Sequence, residues 1–377
     1  MKLFDEVRRT ISGPGPRSAP LFRYYNRSNR QDIARVRTVF EDWFSRYPSP
    51  HKRELRDRLR RSERSAFFEL LLHEVLIRLG CHARVHPRLR QVESRPEFLV
   101  GTSHGTRFYL EAVTTGQSVE NPTRRQLKDW LYDEIDRRLQ SSDFQVSVHL
   151  ICTGRNRPPV TTLVSSIEQY LQGLDPTEVT SPLQAEDIQP LRWECNGWVL
   201  EVSPSPKSQA LKGRGQTLPI AVTCEGAAPD DLRPIWNAVH DKASKYGRIR
   251  LPYVVAINLA SPFLPSYEDV RTALFGEESA ARDDRQVAPH IKHRPLFGSE
   301  SEPRNTRVSA VLAVRLREPA NVSGAPACVW HNPWGAKPCP LPLTVLPQVR
   351  LEGNALRYIA GKSLGDVLGL RPDWPMG

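Results

Sequence analysis

One stretch constrains the fold more than any other. Ser65 to Leu79, SAFFELLLHEVLIRL, is apolar almost all the way round a helical wheel and is followed by Gly80. A helix without a polar face has to be covered on most sides, so the rest of the chain must build layers around it. Gly80 is the residue type that closes such a helix in the left-handed conformation. The polar residues inside it demand partners. Glu69 and His73 lie one turn apart on one face, and Glu74 and Arg78 one turn apart on another. One of these faces is expected to meet solvent, with Glu74 on it, and His73 is expected to be a hydrogen-bonded core histidine.

The flanking patterns alternate between helix and strand. Residues 31 to 47 keep Ile33, Val36, Phe40, Trp43 and Phe44 on one face before Pro48, and a short helix follows at 51 to 61. Strands are expected at 82 to 89, 97 to 100 and 107 to 114. A helix at 121 to 140 opens on Asn121-Pro122, and a strand at 144 to 152 and a helix at 160 to 173 come next. Residues 175 to 216 are rich in Pro and Ser, with Trp198 to Val202 as a candidate strand. Further elements are a strand at 219 to 223, a helix near 230 to 246, the apolar run PYVVAINLA at 252 to 260 and a strand at 307 to 315. Residues 276 to 306 read as a long loop, and the Pro-rich tail beyond 315 shows little periodicity. This alternation predicts an α/β fold.

With 377 residues, the chain has room for two domains or one core with large additions. No apolar run approaches the length of a membrane span and MKLFDEVRRT lacks a signal-peptide core, so a cytoplasmic chain without a membrane partner is expected. The six cysteines then read as reduced thiols. The net charge is +11, and residues 1 to 64 contribute +9 of it. Within that segment Arg53, Arg56, Arg60 and Arg64 fall about one turn apart, a basic stripe suited to the phosphates of a nucleic acid.

Chemistry concentrates at two glutamates. Glu97 opens the strand Phe98-Leu99-Val100, and Glu111 lies within Phe108-Tyr109-Leu110-Glu111-Ala112-Val113. Alternation puts Tyr109 and Glu111 on one side of the strand and Phe108 and Leu110 on the other. Antiparallel pairing would bring Glu97 and Glu111 side by side. Two carboxylates at a sheet end repel unless a cation or proton lies between them, and oxygen ligands suit Mg²⁺ or Mn²⁺.

At these residues the sequence resembles the PD-(D/E)XK nuclease superfamily, whose order is a helix with a glutamate, a P-D pair at a strand and (D/E)-x-K on the next strand. Phe68-Glu69 with Gly80 is similar to the helix of the Mrr-like branch, Pro96-Glu97 stands for P-D, and Glu111-Ala112-Val113 for the last element. The likeness covers residues 65 to 115, with the helix and strand that follow in a general way. The rest of the chain resembles a group of bacterial proteins, a likeness that adds no function. Glu97 replaces aspartate, and Val113 occupies the lysine position. Relocation of that lysine to a neighbouring helix occurs in the superfamily. Among the ten lysines, Lys242, close to Lys245, is the favoured substitute, ahead of Lys207 and Lys128.

The resemblance implies a restriction-endonuclease-like α/β core, a central mixed sheet flanked by helices, with N-terminal helical and C-terminal extensions. The expected division is a basic helical extension at 1–64, a core at 65–260 with 175–216 inserted, and a C-terminal extension at 261–377 packed on the core. The expected activity is metal-dependent hydrolysis of phosphodiester bonds, in DNA before RNA, with a role in bacterial defence. Glu69, Glu97 and Glu111 would hold Mg²⁺ or Mn²⁺, and Lys242 would support the nucleophile. A homodimer or larger defence complex is compatible with this reading. The alternative is an inactive nuclease-fold module that binds nucleic acid or assembles with partners. Gly361-Lys362-Ser363 lacks the first glycine of a P-loop, Cys328, His331 and Cys339 lack a fourth ligand at zinc-finger spacing, and His331-Asn332-Pro333-Trp334 reads as a packed turn.

Overall fold

Along the chain, α1 (Leu21–Arg27), α2 (Gln31–Arg46), α3 (Lys52–Arg60) and α4 (Arg64–Arg78) precede β1 (Cys81–Val85), β2 (Phe98–Thr102) and β3 (Arg107–Thr115). Next come α5 (Pro122–Arg138), β4 (Phe144–Cys152), α6 (Val160–Gln172), β5 (Leu191–Cys195) and β6 (Trp198–Pro206). The remainder holds α7 (Arg233–Ser244), β7 (Tyr253–Leu259), α8 (Tyr267–Phe275), β8 (Ala310–Val314), β9 (Ala327–His331), β10 (Gln348–Glu352), β11 (Ala355–Ile359) and α9 (Leu364–Leu368). This computed structural model describes residues 1–13, 20–61, 64–89, 94–115, 122–174, 189–206, 232–246, 249–259, 267–276, 294–316, 318–353 and 355–376. The strand expected at 219 to 223 and the N-cap Asn121 lie outside them.

The chain divides into two compact units. The first joins Met1–Pro14, Pro20–Gln117 and Asp231–Gly377, and the second is mainly Ser118–Asp230. This differs from the expected boundaries at 64 and 260. Hydrophobic residues of α1 to α4 share one core cluster with strand residues from Phe98 to Val314 and with Leu364 and Leu368. A segment whose apolar face is buried in that core is part of the fold, whatever its surface charge.

The first unit is built on an eight-stranded mixed sheet in the order β1-β2-β3-β7-β8-β9-β10-β11. β7 pairs in parallel with both β3 and β8, and every residue of β7 and β8 is buried. Strands covered on both faces lose the polar-apolar alternation, which is why PYVVAINLA reads as a continuous apolar run. On one face Phe108, Leu110, Val254 and Ala256 pack under α1 to α4. On the other, Tyr253, Val255 and Ile257 pack under Ile235 and Val239 of α7 and Val270 and Leu274 of α8.

A parallel pair needs a crossover, and the helix that provides it between β3 and β7 is α7, not the helix directly after β3. The expectation that the core continues into the helix and strand after residue 115 is therefore corrected, since α5 and β4 belong to the second unit. In that unit β4-β6-β5 form an antiparallel sheet, and Leu131 and Ile135 of α5 and Leu163 and Ile167 of α6 share its core. The β5–β6 hairpin turns at Asn196 and Gly197, both at positive φ (50° and 79°), the geometry that Asn-Gly favours. The C-terminal tail is likewise corrected. It supplies β9 to β11 and α9, and its strands are only five residues long, with a Pro-rich stretch between β9 and β10, which hid their periodicity.

Candidate active site

Glu69 lies in the middle of α4 because the helix is buried on nearly every side. Glu69, His73 and Glu74 are all close to fully buried; the Glu74–Arg78 face reaches solvent only through Arg78, and Glu74 is not on the surface as expected. Gly80 ends the helix at φ +72. Glu74 is satisfied locally: Arg46 from α2 donates to both of its oxygens at 3.0 and 2.7 Å, and Arg78 donates at 2.7 Å. His73 packs against the rings of Tyr47 and Phe98. Its Nδ1 has no hydrogen-bond partner among the described residues, contrary to the expected hydrogen-bonded histidine. Burial lowers its pKa to about 4.

The strand ends bring the remaining groups together. Val85 faces Phe98 and Phe98 faces Leu110 in the two antiparallel ladders. One residue further along, His86 just past β1 and Glu97 just before β2 lie in a row with Glu111, in the middle of β3. The backbone confirms the register: His86 N–H donates to the Glu97 carbonyl at 2.9 Å, and Glu97 N–H donates to Glu111 Oε2 at 3.3 Å.

Glu111 is fully buried and lies on the sheet face covered by α7, together with Tyr109 and Val113. Lys242 Nζ donates to its Oε1 at 2.6 Å and Lys245 Nζ at 3.2 Å, while the Tyr246 hydroxyl donates to Oε2 at 2.6 Å. Positions 242, 245 and 246 share one side of a helix end, so a single element delivers all three donors. The same hydroxyl lies 2.8 Å from the Arg95 carbonyl, so its single proton is shared between two acceptors and α7 sits against the segment before Pro96. Burial and the nearby Glu111 carboxylate hold the Tyr246 phenol protonated well above its usual range.

Glu69 approaches from the opposite layer. Arg58 donates to its Oε2 at 2.6 Å, and the Tyr47 hydroxyl donates to its Oε1. His86 Nε2 lies 3.6 Å from Glu69 Oε1 and 3.0 Å from Glu97 Oε2. Burial and the Glu97 charge push the Glu69 carboxyl up. Burial works in the same direction on Glu97, but the His86 hydrogen bond, with the charges of His86, Arg58 and Lys242, outweighs it and holds Glu97 down. His86 itself is raised, chiefly by its hydrogen bond to Glu97.

The expected ligand set was Glu69, Glu97 and Glu111. Two groups among the described residues bring metal-ligating atoms within 4.8 Å of one another: Glu69, His86 and Glu97, and His51, Glu54 and His86. Glu111 is in neither, because α7 meets it with two ammonium groups and a phenol. His86 was not anticipated. Inside an expected strand of 82 to 89 it looked like an ordinary alternating position, and only the cross-strand register reveals it at the row's end. Lys245 and Tyr246 were legible from their spacing to Lys242. Lys128 lies on α5 in the second unit, and Lys207 lies outside the described residues.

The expected basic stripe is partly internal. Arg56 binds the Leu3 carbonyl at 2.9 Å and Asp5 at 2.7 Å, and Arg60 also pairs with Asp5. Arg53 and Arg64 are exposed. A cleft of about 450 Å³ beside His86 is lined by His51, Arg84, Arg88 and Arg95, with no carboxylate in its wall.

No family model, curated protein or solved structure matches the chain. The site therefore stands on its own geometry. Elsewhere, Ser363 caps α9 through a reciprocal pair with Asp366, which accounts for the Gly361-Lys362-Ser363 segment. Asn332 bonds the Asn305 and Val308 carbonyls as part of a packed turn. Cys328, His331 and Cys339 form no metal-ligating group among the described residues. No described helix is long and apolar enough to cross a membrane.

Proposed function

We propose that the chain is a metal-dependent nuclease with a restriction-endonuclease-like core, acting on DNA before RNA, with bacterial defence as the setting the sequence resemblance suggests. The observation that carries this reading is the Lys242 ammonium, 2.6 Å from Glu111 across from the strand where Val113 replaces the motif lysine. A lysine delivered from the crossover helix restores a cation beside the acidic strand ends. The row His86, Glu97 and Glu111, with Glu69 reaching in from α4, supplies the carboxylates that a phosphoryl-transfer site needs.

A divalent ion held at Glu69 and Glu97 would polarise a phosphoryl oxygen and lower the pKa of a bound water. The donor set fits such an ion, since one buried and one half-buried carboxylate, Glu69 and Glu97, converge with one imidazole between them. The chain's own residues do the rest. Arg58 and Tyr47 hold Glu69 in orientation. Glu111 fixes the Lys242 and Lys245 ammonium groups, whose charge favours the extra negative charge that develops on phosphate. The cleft of His51, Arg84, Arg88 and Arg95 supports phosphate binding beside His86, with affinity but no base readout.

One observation favours a second reading, an inactive nucleic-acid-binding or assembly module: Glu111 already receives donors from Lys242, Lys245, Tyr246 and the Glu97 backbone. Titrating Mg²⁺ and Mn²⁺ against single- and double-stranded DNA and RNA, with wild type and Glu111→Ala, separates the two. Metal-dependent cleavage lost in the variant, with the far-UV circular dichroism unchanged, supports the nuclease. Salt-sensitive binding without cleavage under any condition leaves the module.

A further inference from the structure

His86 combines three features that point the same way. It stands one residue past β1 at φ +45, a conformation rarely adopted by a residue with a side chain. Its Nε2 lies 3.0 Å from Glu97 Oε2 and 3.6 Å from Glu69 Oε1. Both carboxylates are drawn from different layers of the fold, Glu69 from a helix and Glu97 from a strand end. Ligand atoms about 2.1 Å from a common ion lie about 3.0 Å apart at right angles and about 3.4 Å apart at the tetrahedral angle. The two measured separations span those values, so the three atoms could close on one ion with small side-chain movements.

We infer that His86 is a nitrogen ligand of a Glu69–His86–Glu97 metal centre, which therefore selects a transition-metal divalent ion over Mg²⁺. The inference deepens the metal-dependent reading above and rests on it for function. Mg²⁺ demands oxygen ligands and holds its waters, whereas imidazole suits the transition divalent ions, so replacing one carboxylate by imidazole tilts the site toward the latter. The chain puts its third carboxylate, Glu111, out of that set by engaging it with Lys242 and Lys245. The neighbouring group of His51, Glu54 and His86 shares the imidazole. It is the weaker candidate, because Glu54 is exposed and solvated whereas Glu69 is 1 % exposed.

The test uses the full chain with Mn²⁺ as probe. Pulsed electron paramagnetic resonance of bound Mn²⁺ is expected to show nitrogen-14 modulation, replaced by the nitrogen-15 pattern when the protein carries nitrogen-15 histidine. His86→Asn, which suits the left-handed backbone, is expected to abolish the modulation, while His51→Gln leaves it intact. By calorimetry, wild type should bind Mn²⁺ at least tenfold more tightly than Mg²⁺, and His86→Asn should bring the two within about threefold. Bound Mn²⁺ without nitrogen modulation in the wild type, modulation lost only in His51→Gln, or no Mn²⁺ binding would each overturn the inference. The wild-type spectrum decides the point even where a variant does not fold. Cleavage is scored separately: Mg²⁺-supported cleavage without nitrogen modulation leaves the nuclease reading standing alone, and nitrogen-ligated Mn²⁺ without cleavage leaves the metal centre standing alone.

Discussion

Glu74 and Glu69 ride on the same helix five residues apart, and both are buried. Glu74 is enclosed by Arg46 and Arg78, which together place three donors on its two oxygens. Glu69 has one guanidinium, one phenol, the His86 imidazole at 3.6 Å and a second carboxylate, Glu97; burial, and after it the Glu97 charge, raise its pKa despite those partners. The first arrangement neutralises a charge and joins α2 to α4. The second leaves like charges together in a poorly solvated place, which a purely structural design avoids and a cation-binding site uses. The difference lies in which neighbours each turn of the helix meets.

The largest expected effect breaks the comparison open. Glu69→Gln should reduce metal-dependent cleavage by about a hundredfold or more while changing unfolding free energy by no more than about 1 kcal/mol, because it removes a repulsion as well as an ion pair. Glu74→Ala should do the reverse. Losing it removes the acceptor of three hydrogen bonds and leaves a small cavity, but Arg46 keeps Asp42 and Arg78 is exposed, so urea denaturation should show a loss of about 1 to 2 kcal/mol, with cleavage per folded molecule within about threefold of wild type. If the two substitutions gave the same profile, the division between a structural and a functional glutamate would fail.

A smaller effect comes from His73, between the two. Its folded pKa is about 4 because burial disfavours the charged ring. The unfolded chain takes up a proton near the ordinary value of about 6.5, and the folded chain does not. Stability from this residue is thus full above about pH 6.5 and declines as pH falls toward 4, on the order of 2 kcal/mol by pH 5. His73→Gln should flatten that part of a stability-versus-pH curve.

The smallest effects sort the arginines. Arg84→Ala should weaken nucleic-acid binding equally across sequences and reduce the salt slope by about one phosphate contact. Arg56→Ala, which loses Asp5 and the Leu3 carbonyl, should leave that slope unchanged and lower stability by about 1 kcal/mol. Filter binding across a salt series distinguishes them.

Much of the first unit was legible from pattern alone. The unbroken apolar run at 65 to 79 and the all-buried strand at 253 to 259 are periodicity signals that survive any tertiary arrangement. In the second unit the Asn196-Gly197 turn was not anticipated, although the dipeptide is a hairpin signal. The C-terminal strands were not legible either, because five-residue strands carry too few alternations to stand out. The metal-capable group was half legible. Glu69, Glu97 and Glu111 follow from motif order, but His86 becomes a neighbour only through the register of β1 against β2.

The amino-acid sequence by itself determined that this chain must enclose the helix at 65 to 79 between layers of strand and helix, and that Glu97 and Glu111 could meet across neighbouring strands. Apolar periodicity and side-chain alternation depend only on local geometry, so they can be read one segment at a time. Tertiary structure alone decided which glutamate is satisfied and which is crowded, and that Lys242, which the resemblance favoured, meets Glu111 from α7 after an intervening second unit. Those outcomes depend on pairings between residues as much as 135 positions apart, as for Glu111 and Tyr246, and no local pattern encodes a distance of that kind.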